Sequence, residues 1–398
     1  MKILVLNCGS SSIKYKLYDM SDKSVLAAGG IEKVGQPDSF YKIKAPVKET
    51  ITASIPNHDV GVEMVLQTLT DPHKGVLNSL SEIDAVGHRI AHGGCFTKSL
   101  QLTPEVLKEW KTYEELAPLH NPAHLKGINA VSKKLPSVMQ VGVFDTSFHQ
   151  TMPSYAYLYA LPYKYYEQYS IRRYGFHGTS HRYVLSRAAE LYGFDPKEKN
   201  VISCHIGNGA SIAAIQKGRC VDTSMGLTPL EGLIMGTRTG DIDSSAILYL
   251  MDKLGLDTRQ ASDLLNKQSG MLGITEKYTD MRDILGAAAN GDERCRLAVD
   301  MYNYRIRKYV SAYYGILGGA DYIIFTAGVG ENQYEIRGGS MEGLEHLGII
   351  IDPEANKANH SQEGIISTPD SKVTVCVIPT DEEQLVASDT QAVYLSAK

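Results

Sequence analysis

The chain is expected to adopt an α/β fold built from two similar halves, and three observations predict it. An apolar run enters a turn of small polar residues twice: Met1-Lys2-Ile3-Leu4-Val5-Leu6 leads into Asn7-Cys8-Gly9-Ser10-Ser11-Ser12-Ile13-Lys14, and Val201-Ile202-Ser203-Cys204-His205-Ile206 leads into Gly207-Asn208-Gly209-Ala210-Ser211. Strand-like and helical patterns alternate between them, the signature of α/β architecture. The length of 398 residues, 43% of them hydrophobic, is enough for two separate cores.

Each glycine-serine turn can surround phosphate oxygens with backbone N–H groups and hydroxyls, with no bulky side chain intervening. The plainer reading of either turn alone is an ordinary hairpin, because Gly and Asn favour turns whatever the function. Further along the first half, Ala85–Ile90 reads as a strand, helices begin near Pro104 and Pro122, and Met139–Phe144 reads as the next strand. A Tyr-rich connection from Tyr155 to Tyr174 follows, which places the domain boundary near residue 150. The second hairpin begins near Asn200. Helical patterns then run from Asp243 to Gly318, the longest from about Asp292 to Leu317, with Leu297, Met301, Tyr304, Ile306, Val310 and Tyr313 as its expected core face. A third glycine turn, Phe325-Thr326-Ala327-Gly328-Val329-Gly330-Glu331-Asn332, is expected after the strand-like Asp321–Ile324. The last segment, from Asp381 on, has an acidic first turn and reads as a helix that returns to the N-terminal domain, so that the two cores share a cleft.

Composition excludes several classes. A net charge of −5, a pI near 6.2 and the absence of a dense Lys/Arg run argue against a nucleic-acid surface. The six cysteines are scattered without a CxxC, which suits reduced thiols in the cytoplasm. The N-terminal apolar run is too short for a signal peptide, and no stretch approaches membrane-spanning length. Common nucleotide motifs fail as well. Gly207-Asn208-Gly209 is followed by Ala210-Ser211-Ile212 and Gly328-Val329-Gly330 by Glu331-Asn332-Gln333, so neither completes the dinucleotide fingerprint, and neither a Walker sequence nor the protein-kinase set occurs.

The residues able to carry chemistry are dispersed. Arg89, in Gly87-His88-Arg89-Ile90-Ala91-His92-Gly93-Gly94, sits on a strand before a glycine turn, where it can grip a carboxylate or phosphate, or else serve in a structural ion pair. His88 and His92 lie roughly 13 Å apart along a strand, too far for a shared metal. Arg238, in Met235-Gly236-Thr237-Arg238-Thr239-Gly240, has small neighbours that leave room for a ligand. Two such cations suit phosphoryl transfer, where one well-placed Arg can supply about 10³–10⁵ in rate. Asp145 ends an apolar strand, as a functional acid or as a helix cap. His177, between Gly175-Phe176 and Gly178, is placed to donate a hydrogen bond to a transferring group. The spacing to His181 lacks the Glu of a zinc-protease motif, which discounts metal binding. His120 stands at a helix entrance, as a cap, a core residue or a substrate-side group. Asn7 and Glu382 are candidates for Mg²⁺, which needs only one or two protein oxygens, although an acidic helix start alone would account for Glu382.

With LNCGSSSIK, GHRIAHGG, LAPLHNP, VFDTSFHQTMP, YGFHGTSH, CHIGNGASI, DTSMGLTPLEGLIMGTRTGD, FTAGVGEN and VIPTDEE in this order, nearly the whole chain resembles the acetate kinase family. That family lies within the superfamily of sugar kinases, actin and heat-shock chaperone ATPases. The resemblance implies duplicated ribonuclease H-like domains with ATP in the interdomain cleft. Residues 1–149 with 383–398 would form the acyl-substrate lobe and 150–382 the nucleotide-binding lobe. It implies reversible, direct in-line transfer of the ATP γ-phosphoryl group to acetate, giving acetyl phosphate and ADP, with Mg²⁺ or Mn²⁺ as the ion, in a cytoplasmic homodimer with no nucleic-acid or membrane partner.

By matching motifs, Asn7 and Glu382 would hold the metal and Lys14 would contact nucleotide phosphate. Arg89 would bind the carboxylate, Asp145 would orient or deprotonate it, and His177 and Arg238 would stabilise the transition state. Nucleotide contacts would come from His205, Ile206, Gly207, Asn208 and Gly209, from Asp280, Met281 and Arg282, and from Gly328, Val329, Gly330, Glu331 and Asn332. Ala91, Leu119, His120, Phe176 and Pro229 would shape the acyl site. Ala91 stands where acetate kinases often carry Val, and the GHRIAHGG wording resembles the propionate-kinase branch, so propionate is the alternative substrate. Glu276-Lys277-Tyr278-Thr279 also departs from the small residues usual before the Asp-x-Arg segment. A propionate or butyrate kinase and a non-enzymatic ATP-gated protein on the same fold are the competing readings.

Overall fold

The computed structural model describes residues 1–117 and 120–398. The chain divides into two compact units, Met1–Phe148 with Asp381–Lys398, and His149–Thr380.

The first unit is an eight-stranded sheet of β1 (Lys2–Cys8), β2 (Ser12–Asp19), β3 (Ser24–Glu32), β4 (Phe40–Ala45), β5 (Glu49–Thr52), β6 (Ile83–Ile90), β7 (Leu100–Gln101) and β8 (Met139–Phe144), in the order β5-β4-β3-β2-β1-β6-β8-β7. The strands β1, β2 and β3 form an antiparallel meander, and β6 and β8 run parallel to β1. The opening apolar run is continuous because β1 is buried on both faces. Leu4 and Leu6 pack with Ile13, Tyr15 and Val131 on one side. On the other side, Ile3 and Val5 meet Val141, Val143, Val386 and Ala387. The last two belong to the C-terminal helix Glu382–Ser396, which docks so closely on β6 that a Cβ at Gly87 would lie 2.3 Å from Thr390 Oγ1. Glycine is required at position 87 for that approach, and the approach delivers Glu382 to the end of the strand that carries Arg89.

The second unit repeats the plan with β9 (Asn200–Ile206), β10 (Ala210–Gln216), β11 (Arg219–Thr223), β12 (Tyr322–Thr326), β13 (Gly364–Ile365) and β14 (Thr374–Val377), ordered β11-β10-β9-β12-β14-β13. The segments β3-β2-β1-β6-β8 and β11-β10-β9-β12-β14 share one order and one set of directions, the duplicated ribonuclease H-like arrangement. Alternation along β9 puts Ile202, Cys204 and Ile206 into the apolar core, where the helix Glu293–Leu317 packs. Ser203 and His205 point to the opposite, buried and polar face.

Two expectations are corrected. In the helix Glu293–Leu317 the buried stripe is Cys295, Ala298, Tyr302, Ile306, Val310, Tyr313 and Leu317. Leu297, Met301 and Tyr304 are exposed instead. The helix carries two apolar stripes, and a 3.6-residue period cannot by itself say which one meets the sheet. The expected third glycine turn is a short helix, Ala327–Asn332, entered through Ala327 at φ 65°. Its first N–H is satisfied by the Glu331 carboxylate at 2.8 Å, which lets the glycine-rich segment wind up rather than turn back.

Candidate active site

In the first unit, β6 and β8 run parallel with Arg89 beside Val143, and Asp145 follows the end of β8. Arg89 Nη2 donates to Asp145 Oδ2 at 2.7 Å and Nε to Oδ1 at 3.3 Å, while Nε also lies 3.3 Å from Glu382 Oε2. Burial pulls the guanidinium pKa down, but Asp145 and Glu382 more than reverse this and hold it above its ordinary value. Glu382 pays for the crowding: burial, with Asp145 and Glu383 adding to it, pushes its carboxyl up to about 6 against the pull of Arg89 and Lys14. Its neighbours in the acidic first turn are engaged elsewhere, since Lys16 Nζ lies 3.0 Å from Asp381 and 3.5 Å from Glu383. Lys14 is the antiparallel partner of Asn7 across the β1–β2 hairpin, and Glu382 feels the Lys14 charge. Asn7 and Glu382 therefore offer two oxygen donors at one end of the sheet, a donor set suited to a hard cation that keeps most of its waters. Lys14 itself is exposed and lines a hollow of about 170 Å³ with Gly30, Lys42 and Lys44.

Ala91 follows Arg89, its N–H donating to Nε2 of the buried His124 at 3.2 Å. Burial, then the Arg89 charge, brings the His124 pKa down to about 3, so that ring is a neutral acceptor. His124 is a support that sequence reading missed. His120, half-buried, precedes the helix Asn121–Lys134 and gives no side-chain cap. Leu119 lies outside the described residues.

In the second unit the other candidates converge on the Gly207–Gly209 turn between β9 and β10. A Cβ placed on Gly209 would lie 3.5 Å from Arg238 Nη1 and 3.6 Å from His177 Nε2, so both groups face one point above the turn. His177 precedes the helix Gly178–Tyr192 at φ 58°, a left-handed conformation that costs a non-glycine residue free energy and turns its ring toward β10. The ring stacks on His205 with centroids 4.1 Å apart. Arg238 is half-buried, its Nη1 donating to Pro229 O at 3.0 Å and touching the Met235 sulfur at 3.7 Å. Among the described residues no carboxylate pairs with it, and burial lowers its pKa. Phe176 is core, and its carbonyl accepts from Ser211 and His149.

Beyond the turn opens a cavity of about 650 Å³, lined by Gly207, Asn208, Asp280, Met281, Arg282, Gly328, Val329 and Asn332 from the sequence-based set. Gly236, Met271, Thr279, Tyr302 and Gln333 line it too and were not anticipated. Tyr302 belongs to the long helix whose aromatics read as core only. Arg282 grips Asp280 through Nε at 2.9 Å and Nη2 at 2.6 Å, and these bonds hold the Asp280 carboxyl down at about 2. Ile206 is wholly buried, Gly330 is buried, and the Glu331 carboxylate accepts from Ala327 N–H, Thr380 N–H and Ser361 Oγ. Expected as nucleotide contacts, these three residues are not part of the cavity lining. Arg337, 0% exposed, fixes the same segment by donating to the carbonyls of Gly330 and Glu331 at 3.0 and 2.9 Å.

The acetokinase family model matches residues 2–388. An acetate kinase of Bacteroides fragilis is 59% identical over 396 residues, covering 99% of each chain. The crystal structure of Porphyromonas gingivalis acetate kinase superposes with a TM-score of 0.95 at 51% identity, over 98% of this chain and 99% of that one. A propionate kinase from Francisella tularensis superposes with a TM-score of 0.92 at 41% identity, over the same shares. Agreement of this extent in sequence and in backbone leaves one assignment: the chain belongs to the acetokinase family.

Proposed function

We propose that the protein is an acetate kinase, transferring the γ-phosphoryl group of ATP to acetate in a reversible reaction. The observation that carries the reading is Arg238: a half-buried guanidinium with no carboxylate partner among the described residues, beside His177, above a glycine turn that opens into a nucleotide-sized cavity. A short acid is already ionised at neutral pH. One carboxylate oxygen attacks the γ-phosphorus while the bond to the β-bridging oxygen breaks, and ADP leaves without net proton transfer. Arg238 and the Nε2 side of His177 counter charge on the moving group. Arg89 orients the acid through donors that Asp145 and Glu382 leave over, Nη1 foremost. Asn7 and Glu382 would hold Mg²⁺, which supplies charge neutralisation on the phosphates when bound.

An acyl-hydroxamate assay with Mg-ATP across C2, C3 and C4 acids tests the reading. Acid-dependent product with C2 is expected, and ATP turnover indifferent to added acid would overturn it. Ala91 favours a second reading, a propionate kinase, because two methyl groups fewer than Val leave room for a longer chain. The gain is about 0.8 kcal/mol per buried CH₂, roughly a fourfold shift in preference.

The protein is further read as a homodimer. The helix Ser244–Leu254, SSAILYLMDKL, buries none of its residues, and Leu248, Tyr249 and Leu254 are each more than 60% exposed. An apolar helix left bare in one copy fits a second copy. The free cysteines, five of them buried, suit a reducing cytoplasm.

A further inference from the structure

The second histidine of the GFHGTSH motif has no part in the chemistry so far. His181 is fully buried, one helical turn after His177, and burial, with His149 and His205 nearby, holds its pKa well below 6.5. It is therefore a neutral ring with a single N–H. Its Nδ1 lies 2.8 Å from Ser203 Oγ and its Nε2 lies 2.8 Å from Ser211 Oγ. Ser211, also fully buried and directly opposite His205 across the β9–β10 pair, lies 2.9 Å from His177 Nδ1.

Proton bookkeeping along this line has three solutions, but the one in which His181 Nδ1–H donates to Ser203 and Ser211 donates to His181 Nε2 leaves the buried Ser203 hydroxyl hydrogen without an acceptor among the described residues, so two are left. In one, Ser203 donates to His181 Nδ1, His181 Nε2–H donates to Ser211, and Ser211 donates to His177 Nδ1. A neutral His177 then carries its proton on Nε2, the nitrogen that faces Gly209 and Arg238. In the other, Ser211 donates to Phe176 O and His177 Nδ1–H donates to Ser211. A neutral His177 then turns a bare lone pair toward the reacting group, where it would repel phosphoryl oxygens. The first solution uses the shorter hydroxyl bond, 2.9 Å against 3.3 Å to a carbonyl that already accepts from His149 Nε2 at 3.1 Å.

We propose that Ser211 and His181 are positioning residues that hold neutral His177 in the Nε2–H tautomer, so that it can donate a hydrogen bond to the transferring group. The purpose of that tautomer rests on the function proposed above. The tautomer itself does not, and the two can be tested apart. ¹⁵N-resolved NMR of His177 in the ligand-free full chain at neutral pH is expected to show a bare Nδ1 and a protonated Nε2. Ser211→Ala is expected to move the proton toward Nδ1 and to lower kcat about 10- to 100-fold, with KM values for ATP and acid within about threefold. His181→Gln, which keeps an N–H for Ser211, should fall less than His181→Leu, and this pair keeps the test open if Ser211→Ala folds poorly. A protonated Nδ1 in the unsubstituted protein overturns the proposal, as does Ser211→Ala or His181→Leu with unchanged tautomer and kcat. A protonated Nε2 in a protein that makes no acyl phosphate would support the tautomer assignment while sinking the kinase reading.

Discussion

Arg89 and Asp145 are joined at two points, Nη2 to Oδ2 at 2.7 Å and Nε to Oδ1 at 3.3 Å, with the carboxylate 2% exposed. Both carboxylate oxygens thereby accept from the guanidinium. Orientation of Arg89, rather than deprotonation of the acid, is the role this geometry supports. Asp145→Asn should lower kcat about 10²-fold or more through a displaced Arg89. The factor should stay constant from pH 6 to 8, because no proton is being abstracted. A loss that grows steadily as the pH falls would restore Asp145 as a base.

Arg238 is the electrostatic opposite of Arg89. Carboxylates hold the Arg89 guanidinium above its ordinary pKa, whereas burial lowers that of Arg238. A cation kept half-buried with no carboxylate to pair with among the described residues is destabilising until an anion arrives. Arg238→Met should therefore leave the thermal unfolding temperature unchanged or higher, while kcat drops by at least about 10³ and ATP affinity is largely spared. Lower stability together with near-normal turnover would remove Arg238 from the mechanism.

Much of this arrangement was legible in the sequence because strand ends and glycine turns are local signals. The runs at Met1–Leu6 and Val201–Ile206, the helix starts near Pro104 and Pro122 and the final helix after Asp381 stand where read. What was not legible depends on partners far along the chain. Nothing around Arg337 marks it as wholly buried, and nothing near Gly236 or Thr279 says that they border the cavity lined by Gly207 and Gly328. Ser211 could have been noticed, since a hairpin closed by Gly207-Asn208-Gly209 sets it opposite His205. The outward stripe of Leu297, Met301 and Tyr304 could not, because both stripes of that helix have helical spacing.

Arg337 spends five hydrogen bonds on four residues: Nε on Asn356 Oδ1 at 2.7 Å, Nη1 on the carbonyls of Gly330 and Glu331, and Nη2 on those of Asn356 and Asn359 at 2.7 and 2.9 Å. Arg337→Met would leave buried carbonyls unpaired, at a cost of about 3 kcal/mol or more. Because two of them belong to the Ala327–Asn332 helix, ADP affinity should weaken about tenfold, or 1.4 kcal/mol. Calorimetric unfolding and ADP titration measure the two effects separately. Lost stability with unaltered ADP binding would confine Arg337 to the fold.

Acid should destabilise the first unit through buried histidines. His88, bonded to Gln140 at 2.8 Å, is brought down by burial from 6.5 to about 4. Between those values the unfolded chain binds a proton that the folded chain does not, so stability is complete above pH 6.5 and falls as the pH drops toward 4. The loss at pH 4 is about 3 kcal/mol for this residue. His124, brought down to about 3, adds to it in the same direction. Denaturant unfolding between pH 7 and 4 should show the decline, and His88→Gln should reduce its slope by one proton. An equal slope in the variant would mean that His88 is protonated in the folded chain.

The bare helix Ser244–Leu254 gives the last prediction. Leu248, Tyr249 and Leu254 are 64%, 62% and 63% exposed, and Tyr304 on the long helix is 65% exposed. Solvating these side chains costs about 1.5–3 kcal/mol each relative to full burial, which a second copy of the chain can recover. Sedimentation should therefore report twice the 43.7 kDa chain mass at micromolar concentration. Leu248→Glu with Tyr249→Glu should yield a folded monomer, since neither side chain contributes to the core of its own unit. A single-chain mass for the unsubstituted protein would refute the second copy as the occupant, and a double variant that stays dimeric would move the interface off this helix.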